Sequence, residues 1–346
     1  MSKKFFTFFA LLIVGSMLFA ACAPAATEEP TEAPAYVCQV TDTGGIDDKS
    51  FNQTAWKGVE DAVDEFGIRA NYLESQEAAD YETNINAFRQ EGCDLIVTVG
   101  FLIADATQAA AEANPDQKFS IVDFAYDPAI PNVVGQVFET DEAAFLAGYL
   151  AAAVSQTGVV GTFGGLPIPT VTIFMDGFVA GVQKYNEVKG TDVQVLGWDP
   201  AEETGLFTNS FDDQQLGREM AVSLMDEGAD IIMPVAGPVG LGAAAAIQER
   251  GNAYVIGVDS DWFLTSPEYG DITLTSVMKL MDATTFAVIE DVIDGTFEGG
   301  TVVGTLENEG VAIAPFHDLS GMVSDELQGE LDQLRQDIIA GDIVLD

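Results

Sequence analysis

The stretch that follows the first apolar run combines carboxylates, hydroxyls, amides and one aromatic ring. Residues 41–53 read TDTGGIDDKSFNQ, directly after YVCQV. Clustered aspartates serve in metal loops, in catalytic loops, or in rims that hydrogen-bond a neutral ligand. The glycines and the following Lys49-Ser50 pair do not match the spaced ligands of an EF-hand loop. Phe51, between serine and asparagine just before a predicted helix, favours presentation at a cleft, with apolar packing as the alternative.

Small or polar residues recur at the carboxyl ends of the predicted strands. In open parallel sheets, ligands bind in the crevice outside those ends. One carboxylate there is equally well explained by chance or as a helix cap, but agreement across both halves of the chain predicts a binding crevice. The residues at these ends are Asp42, Gly100 with Phe101, Asp123, Gly237, Asp259 and Lys279.

Signatures of enzymes and of metal sites are scarce. The single histidine, His317, lies in a predicted loop beside Asp318, where a structural or exposed role is the simpler interpretation. The sequence has no G-x-S-x-G elbow, no P-loop and no H-E-x-x-H motif. The run GPVGLG, which starts at Gly237, lacks the order of a dinucleotide fingerprint and predicts a tight strand-to-helix turn. We therefore expect no catalytic residue, no metal and no cofactor.

The charge of the chain excludes several classes of partner. Its 346 residues include 56 acidic and 13 basic residues, for a formal net charge of −43 at pH 7. Nucleic acids and anionic membrane surfaces require clustered lysine and arginine. We therefore expect no nucleic acid to bind and nucleotides to be rejected. The acidity itself indicates solubility rather than any particular ligand.

The elements that must position these residues alternate between short apolar strands and amphipathic helices. About ten strands fall in two runs of about five, and their continuous apolar character predicts parallel sheets covered on both faces. Two doubly wound α/β lobes joined by a hinge fit this length, with an eight-stranded barrel as the alternative. Residues 301–316 predict an antiparallel hairpin. The predicted lobes comprise residues 36–137 with about 279–300, and residues 138–278 with about 301–346.

The first residues have the features of a lipoprotein signal. Two lysines precede the apolar run 5–21, and Cys22 follows two alanines, as in a bacterial lipobox. We expect residues 1–22 to form the signal, with Cys22 as the lipidated residue; an ordinary signal anchor is the alternative. Residues 23–35 are rich in proline, alanine, threonine and glutamate, which predicts a flexible tether.

Two further cysteines belong to the predicted first lobe. Cys38 lies in the first strand, and Cys93 immediately precedes the third. Those strands are neighbours in a doubly wound sheet, and a location outside the cytoplasm permits disulfides. The sequence therefore predicts a Cys38–Cys93 bridge, with two buried free thiols as the alternative.

Several motifs recur in a distinctive order along nearly the whole mature chain. The first is TDTGGIDDKSFNQTAWKG, and the later ones are LIVTVGF, FSIVDF, NVVGQVFETDEAAFLAGYLAA, PTVTIFMDGFVAGV, FDDQQLGREMA, IIMPVAGPVGLGA, VIGVDSDW and LTSVMK. This set resembles the basic membrane protein family, the purine nucleoside receptor lipoproteins that are substrate-binding subunits of ABC importers. The resemblance implies a type I periplasmic-binding-protein fold, in which two lobes close around the ligand.

The resemblance also implies roles for individual residues. Asp42 and Phe51 match the family's ligand-contacting aspartate and stacking phenylalanine, and Asp123 matches the aspartate that helps to read the base. Asp259 and Lys279 match the residues that hold the ribose hydroxyls.

A second aromatic ring, from the other lobe, sandwiches the base in this family. We place it at Phe211, with Phe174 and Phe207 as alternates. The remaining residues expected at the ligand are Thr43, Ser50, Asn52, Gly100, Phe101 and Gly237.

The expected function follows from the resemblance and from the chemistry of these side chains. A purine stacked on aromatic rings gains about 1–3 kcal/mol per base, and carboxylates accept hydrogen bonds from ribose and base. We expect a lipid-anchored extracytoplasmic monomer that delivers a nucleoside to an ABC permease and its ATPase, without covalent chemistry. The alternatives are a ribose or polyol receptor of the same fold, an extracytoplasmic nucleoside hydrolase, and a sensor that signals to a membrane kinase.

Overall fold

A computed structural model of the chain describes residues 34–345 and contains two six-stranded sheets. The strands of the first sheet are β1 (Tyr36–Val40), β2 (Arg69–Leu73), β3 (Leu95–Val99), β4 (Lys118–Val122), β5 (Val133–Phe138) and β13 (Gly300–Gly304). They lie in the order β13-β5-β4-β3-β1-β2, and every neighbouring pair is parallel.

The second sheet repeats this arrangement with a different final strand. Its strands are β6 (Val159–Gly164), β7 (Gln194–Leu196), β10 (Ile231–Val235), β11 (Tyr254–Asp259), β12 (Thr273–Lys279) and β14 (Val311–Ile313). The order is β14-β12-β11-β10-β6-β7, and only β14 runs antiparallel to its neighbour. A small separate ladder joins β8 (Trp198–Asp199) to β9 (Thr204–Gly205).

Helices connect the strands. They are α1 (Phe51–Phe66), α2 (Ala78–Glu91), α3 (Ala104–Ala113), α4 (Thr140–Val154), α5 (Pro169–Lys189), α6 (Gln214–Asp226), α7 (Val239–Arg250), α8 (Trp262–Thr265), α9 (Met281–Asp294) and α10 (Asp325–Ile339). Short 3₁₀ turns occur at Phe101–Ile103, Pro267–Tyr269 and His317–Met322.

Alternate side chains of the first sheet enter two separate apolar cores. Val37 packs with Val59 of α1 on one face, while Cys38 packs with Ile85 of α2 on the other. Burial on both faces explains why the central strands β1 and β3 are largely apolar throughout rather than alternating. The structure also contains the Cys38–Cys93 disulfide, with Cα atoms 6.0 Å apart.

Helices α4 and α5 cross at glycines. A Cβ atom added at Gly148 would overlap the carbonyl oxygen of Phe178, and one added at Gly181 would overlap that of Phe145. The missing side chains allow the two backbones to touch. The close approach fixes α5, whose first turn forms one wall of the pocket described below.

The chain passes between the two sheets three times. The passages follow Phe138 of β5 and Lys279 of β12, and the third lies between β13 and β14. The hairpin predicted over 301–316 is therefore wrong, because β13 pairs with β5 and β14 pairs with β12. Residues 300–304 belong to the first sheet, whereas the prediction assigned all but the first of them to the C-terminal lobe.

The predicted fold class is confirmed, and the barrel alternative is excluded by two separate sheets. We call the part built on the first sheet the N-terminal half, and the part built on the second the C-terminal half. The predicted signal 1–22, its Cys22 and nearly all of the predicted tether lie outside the described residues. Within residues 34–345, no helix is both long and apolar enough to cross a membrane.

Candidate functional site

One pocket lies where the carboxyl ends of the two sheets face each other. In the N-terminal half it is bordered by Asp42 after β1 and Gly100 after β3, and in the C-terminal half by Gly237 after β10. Strand order reverses between β1 and β3, and again between β6 and β10, which are the places where α/β sheets bind ligands. The space between the lining side chains, including the mouth, is about 550 Å³.

Most of the residues expected at the ligand line this pocket. They are Asp42, Thr43, Phe51, Asn52, Gly100, Phe101, Asp123, Phe174, Phe211, Gly237, Asp259 and Lys279.

Two expected residues lie elsewhere. Ser50 stands behind the lining, where its hydroxyl donates to Asp259 Oδ2 at 2.8 Å. Phe207 is placed away from the pocket, because its ring packs edge-on against Trp198 and directly on Gly164. Its segment adds alongside β6 as a bridge, which turns the ring away from the cleft.

The sequence interpretation missed part of the lining. The additional residues are Asp48, Ile168, Thr170, Val171, Val235, Ala236, Pro238 and Val258. Ile168, Thr170 and Val171 follow β6, the counterpart of β1 in the second sheet. The rule that placed Asp42 at the site could have found them, because β6 also ends at a switch point.

The loop after β1 is organised by Asp48. Its carboxylate accepts hydrogen bonds from the backbone N–H groups of Ser50, Asn52 and Gln53, at 2.7 to 3.0 Å. These groups lie at the start of α1, so the carboxylate satisfies donors that the helix leaves free. Burial raises the pKa of Asp48 to about 6, although these hydrogen bonds act in the opposite direction. Asp48 therefore shapes the loop and also borders the pocket.

Asp42 is held between the loop and β3. Asn52 Nδ2 donates to Asp42 Oδ1 at 3.1 Å and to Asp48 Oδ2 at 3.2 Å. The other side of the Asp42 carboxylate lies against the Cα of Gly100, where any Cβ would overlap it and where φ is +112°. Burial raises the pKa of Asp42 well above its ordinary value. Glycine at position 100 is therefore required both by backbone conformation and by contact with Asp42.

A buried ion pair joins the two halves. Lys279 Nζ lies 2.9 and 2.6 Å from the two carboxylate oxygens of Asp123, and 3.9 Å from Asp259 Oδ1. Asp123 follows β4 and Asp259 ends β11, which are corresponding strands of the two sheets. Both aspartates have positive φ, +65° and +69°. The structure thus aims one carboxylate from each half at a single ammonium group.

Burial also raises the pKa of Asp123 and that of Asp259, while Lys279 opposes both shifts. Four carboxylates therefore border the pocket against one ammonium group, among the residues that the structure describes. A ligand that offers N–H or O–H donors matches this lining. An anionic ligand meets repulsion, because the single cation is already paired.

Aromatic rings surround the same ammonium group. Lys279 Nζ lies 5.1 Å from the ring centre of Phe51 and 5.2 Å from that of Phe174, within the range of cation–π attraction. Phe174 is buried within α5, whereas Phe211 is half-buried in a loop and rests on Gly165. Phe51 comes from the N-terminal half and the other two rings come from the C-terminal half.

Further hydrogen bonds link the halves at the edge of the pocket. Ser50 Oγ also lies 3.3 Å from the carbonyl oxygen of Val258, and Ser260 Oγ donates to the carbonyl oxygen of Lys49 at 3.1 Å. The loop after β1 and the end of β11 are thereby held together directly.

The histidine considered for chemistry lies apart from this pocket. His317 Nε2 is 2.7 Å from Asp261 Oδ2, and its ring stacks on Phe263 with 4.0 Å between ring centres. Gly237 and Pro238 form the tight turn into α7. Among residues 34–345, no group of three or more His, Cys, Asp or Glu side chains could hold a metal ion.

Comparison with known proteins identifies the family. The family model described as ABC transporter substrate-binding protein PnrA-like (Bmp) matches residues 35–346. The chain belongs to this family. As a member, it is a substrate-binding protein of an ABC transporter, a class that works outside the cytoplasm.

Relatives from this family align with most of the chain. Basic membrane protein A of Borreliella burgdorferi is 35% identical over 87% of this chain and 85% of its own length. The protein named ABC transporter nucleoside-binding protein BmpA of Lactococcus lactis subsp. cremoris is 32% identical, over 88% of this chain and 87% of its own. A solved structure of an ABC transporter system solute-binding protein from Aeropyrum pernix superposes with a TM-score of 0.81 at 28% identity, covering 90% and 94% of the two chains.

Proposed function

We propose that this substrate-binding protein captures a nucleoside, with a purine preferred, between its two halves. The observation that carries the proposal is the arrangement at Lys279, where strand-end carboxylates from both halves converge beside aromatic rings from both halves. A nucleoside needs both features, because its base is a flat π-system and its ribose is a set of hydroxyl donors. The name of the Lactococcus relative agrees with this ligand class.

Each part of the ligand has a matching group in the pocket. We assign the base to a stack between Phe51 and Phe211, with Phe174 as the alternate second ring. Asp42 and Asp123 border the pocket on the N-terminal side and are assigned to the polar edge of the base.

The ribose hydroxyls are assigned to Asp259 and Lys279. For this, Lys279 exchanges part of its bonding to Asp123 for a ligand oxygen. The remaining ligand contacts are assigned to Thr43, Asn52, Gly100, Phe101 and Gly237, which line the same pocket. Ser50 supports Asp259 from behind.

Binding closes the protein because the contacts come from both halves. A ligand shifts an open–closed equilibrium by the difference between its affinities for the two states. The chain passes between the halves three times, and these passages provide a hinge. The closed form is then presented to a permease and its ATPase.

Calorimetry with purified, ligand-stripped protein tests the ligand class. Inosine, adenosine, guanosine, uridine, ribose and AMP are titrated separately. We expect the purine nucleosides to bind most tightly, uridine more weakly, and ribose and AMP not measurably. Binding of ribose without binding of any nucleoside would replace this proposal with the sugar receptor.

A turnover assay separates the binding protein from a nucleoside hydrolase. The protein is incubated with inosine, and free hypoxanthine is measured by liquid chromatography. We expect no base release above the rate in buffer. Stoichiometric binding accompanied by steady release of base would contradict the proposal.

The lipid anchor is a separate proposal that rests on the sequence around Cys22. We propose that the mature protein is a monomer tethered to the membrane by a lipid on Cys22. Expression in a bacterial host with an alkyne-tagged fatty acid should label the natural chain and leave the C22S variant unlabelled. Equal labelling of the two, or no label on either, would exclude lipidation at this residue.

A further inference from the structure

A second cavity adjoins the ligand pocket on the side of the hinge. We call it the hinge cavity. Its space, including its opening, is about 510 Å³. It shares Asp123, Thr170 and Lys279 with the ligand pocket, and its other lining residues are Val137, Phe138, Glu139, Thr140, Pro169 and Ile173.

The hinge cavity contains an unused hydroxyl group. Thr140 is fully buried at the first turn of α4, and its Oγ1 has no hydrogen-bond partner among the described residues. Buried hydroxyls are normally paired, and an unpaired one lowers stability because its desolvation is not compensated. A ligand atom that reaches Thr140 Oγ1 therefore gains a hydrogen bond that the protein does not make for itself.

The other walls determine which ligand group fits. Val137, Phe138 and Ile173 present apolar surface, while Glu139 is exposed beside the cavity. Lys279, the single cation among the described lining residues, is bonded to Asp123. This combination suits a short, neutral and partly apolar group, and it opposes a phosphate.

The hinge cavity lies beside the residues assigned to the ribose, and this position associates it with the 5′ carbon of a bound nucleoside. With the base in the aromatic stack and the 2′ and 3′ hydroxyls at Asp259 and Lys279, the 5′ carbon is the remaining arm of the ribose. The hinge cavity adjoins the ligand pocket at Lys279, so we assign that arm to the hinge cavity. This step rests on the proposed function.

We propose that the hinge cavity receives a short neutral substituent on the 5′ carbon of the bound nucleoside, with Thr140 as donor to the 5′ heteroatom. The protein then takes 5′-alkylthio nucleosides in addition to their 5′-hydroxyl parents, and it excludes the 5′-phosphates. The protein thus accepts more variation at the 5′ carbon of the ribose than at the base.

Two matched ligand pairs test the proposal by calorimetry. They are inosine with 5′-deoxy-5′-methylthioinosine, and adenosine with 5′-deoxy-5′-methylthioadenosine. The parent compounds are inosine and adenosine. For each parent that binds, we expect the dissociation constant of its methylthio derivative to lie within about fivefold of that of the parent. The corresponding 5′-monophosphate should be at least about a hundredfold weaker. A methylthio compound more than about tenfold weaker than its binding parent overturns the proposal while leaving nucleoside binding intact. If neither parent binds, both proposals fail together.

Two variants of α5 test whether the substituent lies in this cavity. Ile173→Trp fills the hinge cavity and should weaken the methylthio compound at least about tenfold, with the parent within about threefold. Val188→Trp, on an exposed position of the same helix, is the matched control and should leave both affinities unchanged. Equal effects of Ile173→Trp on parent and derivative, or no effect on either, contradict the assignment.

Thr140→Val supplies an independent readout with little change of volume. Removing the hydroxyl should weaken a 5′-hydroxyl nucleoside about 3–10-fold, the usual range for one neutral hydrogen bond. It should leave the corresponding 5′-deoxynucleoside unchanged. Equal losses for both ligands would show that Thr140 does not contact the 5′ position.

Discussion

At the scale of single residues, Asp123 and Asp259 occupy corresponding strand ends with left-handed backbone conformations, +65° and +69° in φ. Non-glycine residues adopt this region uncommonly, although aspartate tolerates it better than most. The conformation turns both carboxylates toward Lys279, which is 3% exposed. The ion pair is thus placed by the backbone of two separate sheets.

Removing the ammonium group should destabilise the protein strongly. Lys279→Met leaves the buried Asp123 and Asp259 carboxylates without a counterion, and breaking such a pair typically costs about 3–5 kcal/mol. The unfolding free energy from urea titration at neutral pH measures the loss. Lys57→Met removes an exposed pair with Asp61 and is the control, with an expected change within about 1 kcal/mol. Similar small changes in both variants would contradict the role of the buried pair.

Alanine substitutions of the aromatic rings should affect either ligand affinity or the unfolding free energy, depending on which ring is removed. Phe51→Ala and Phe211→Ala each remove a half-buried ring, and each should weaken a purine nucleoside about 5–150-fold, equivalent to about 1–3 kcal/mol. Phe174 is 1% exposed, and Phe174→Ala should instead cost about 3–5 kcal/mol of unfolding free energy. Calorimetry and urea titration on the same three variants measure the two effects. A larger affinity loss in Phe174→Ala than in Phe211→Ala, in protein that remains folded, would make Phe174 the second stacking ring.

At the scale of elements, the contact between α4 and α5 depends on glycine rather than on helix propensity. Gly181→Ala places a methyl group into the backbone of α4 at Phe145, and overpacking of this kind costs about 1–3 kcal/mol. Gly329→Ala in α10 has no atom within 4 Å of the new Cβ and should gain up to about 1 kcal/mol from helix propensity. Thermal unfolding of the two variants should therefore move in opposite directions. An increase in Tm for both would show that α4 and α5 are not in close contact.

The start of α4 also makes stability depend on pH. Burial, followed by the charge of Glu139, raises the pKa of Asp141 from 3.8 to about 6. The folded chain therefore holds this proton where the unfolded chain has released it, so the unfolding free energy falls as pH rises from about 4 to about 6. Asp141→Asn cannot lose a proton and should flatten this part of the profile. Parallel urea midpoints for both proteins across that range would contradict the shift.

Sequence patterns predict elements whose partners are near in the chain and fail where the partner is distant. Strands β1, β3 and β5 are recoverable because each is a short, largely apolar run that leads into a helix. β13 and β14 are short, and the turn between them resembles a hairpin. Nothing local in Gly300–Gly304 indicates that its partner is Val134–Phe138.

The same limit applies to the site. Asp42 and Asp259 are predictable because ligands bind at the carboxyl ends of parallel strands. Phe207 and Phe211 are both aromatic residues of one irregular segment, so residue type does not distinguish them. Only the pairing of Gly164 with Phe207 decides which of the two rings faces the pocket. Backbone geometry of that kind has no signature in residue type.

At the scale of the whole molecule, the acidic excess should make stability depend on ionic strength. A net charge of −43 repels itself in the compact state, and salt shortens the reach of that repulsion from about 30 Å at 0.01 M to about 10 Å at 0.1 M. We expect Tm to rise by roughly 3–6 °C between about 0.01 and 0.3 M sodium chloride. Choline chloride at equal ionic strength should act alike if screening is the cause. A rise with sodium alone would indicate specific cation binding.

The late position of β13 has a consequence for how the protein is made. Five strands of the first sheet end by Phe138, but the sixth is residues 300–304 of a 346-residue chain. Until that segment leaves the ribosome, β5 keeps an open edge whose unpaired backbone groups invite pairing with another chain. We therefore expect nascent chains that stall before residue 300 to aggregate or to be degraded.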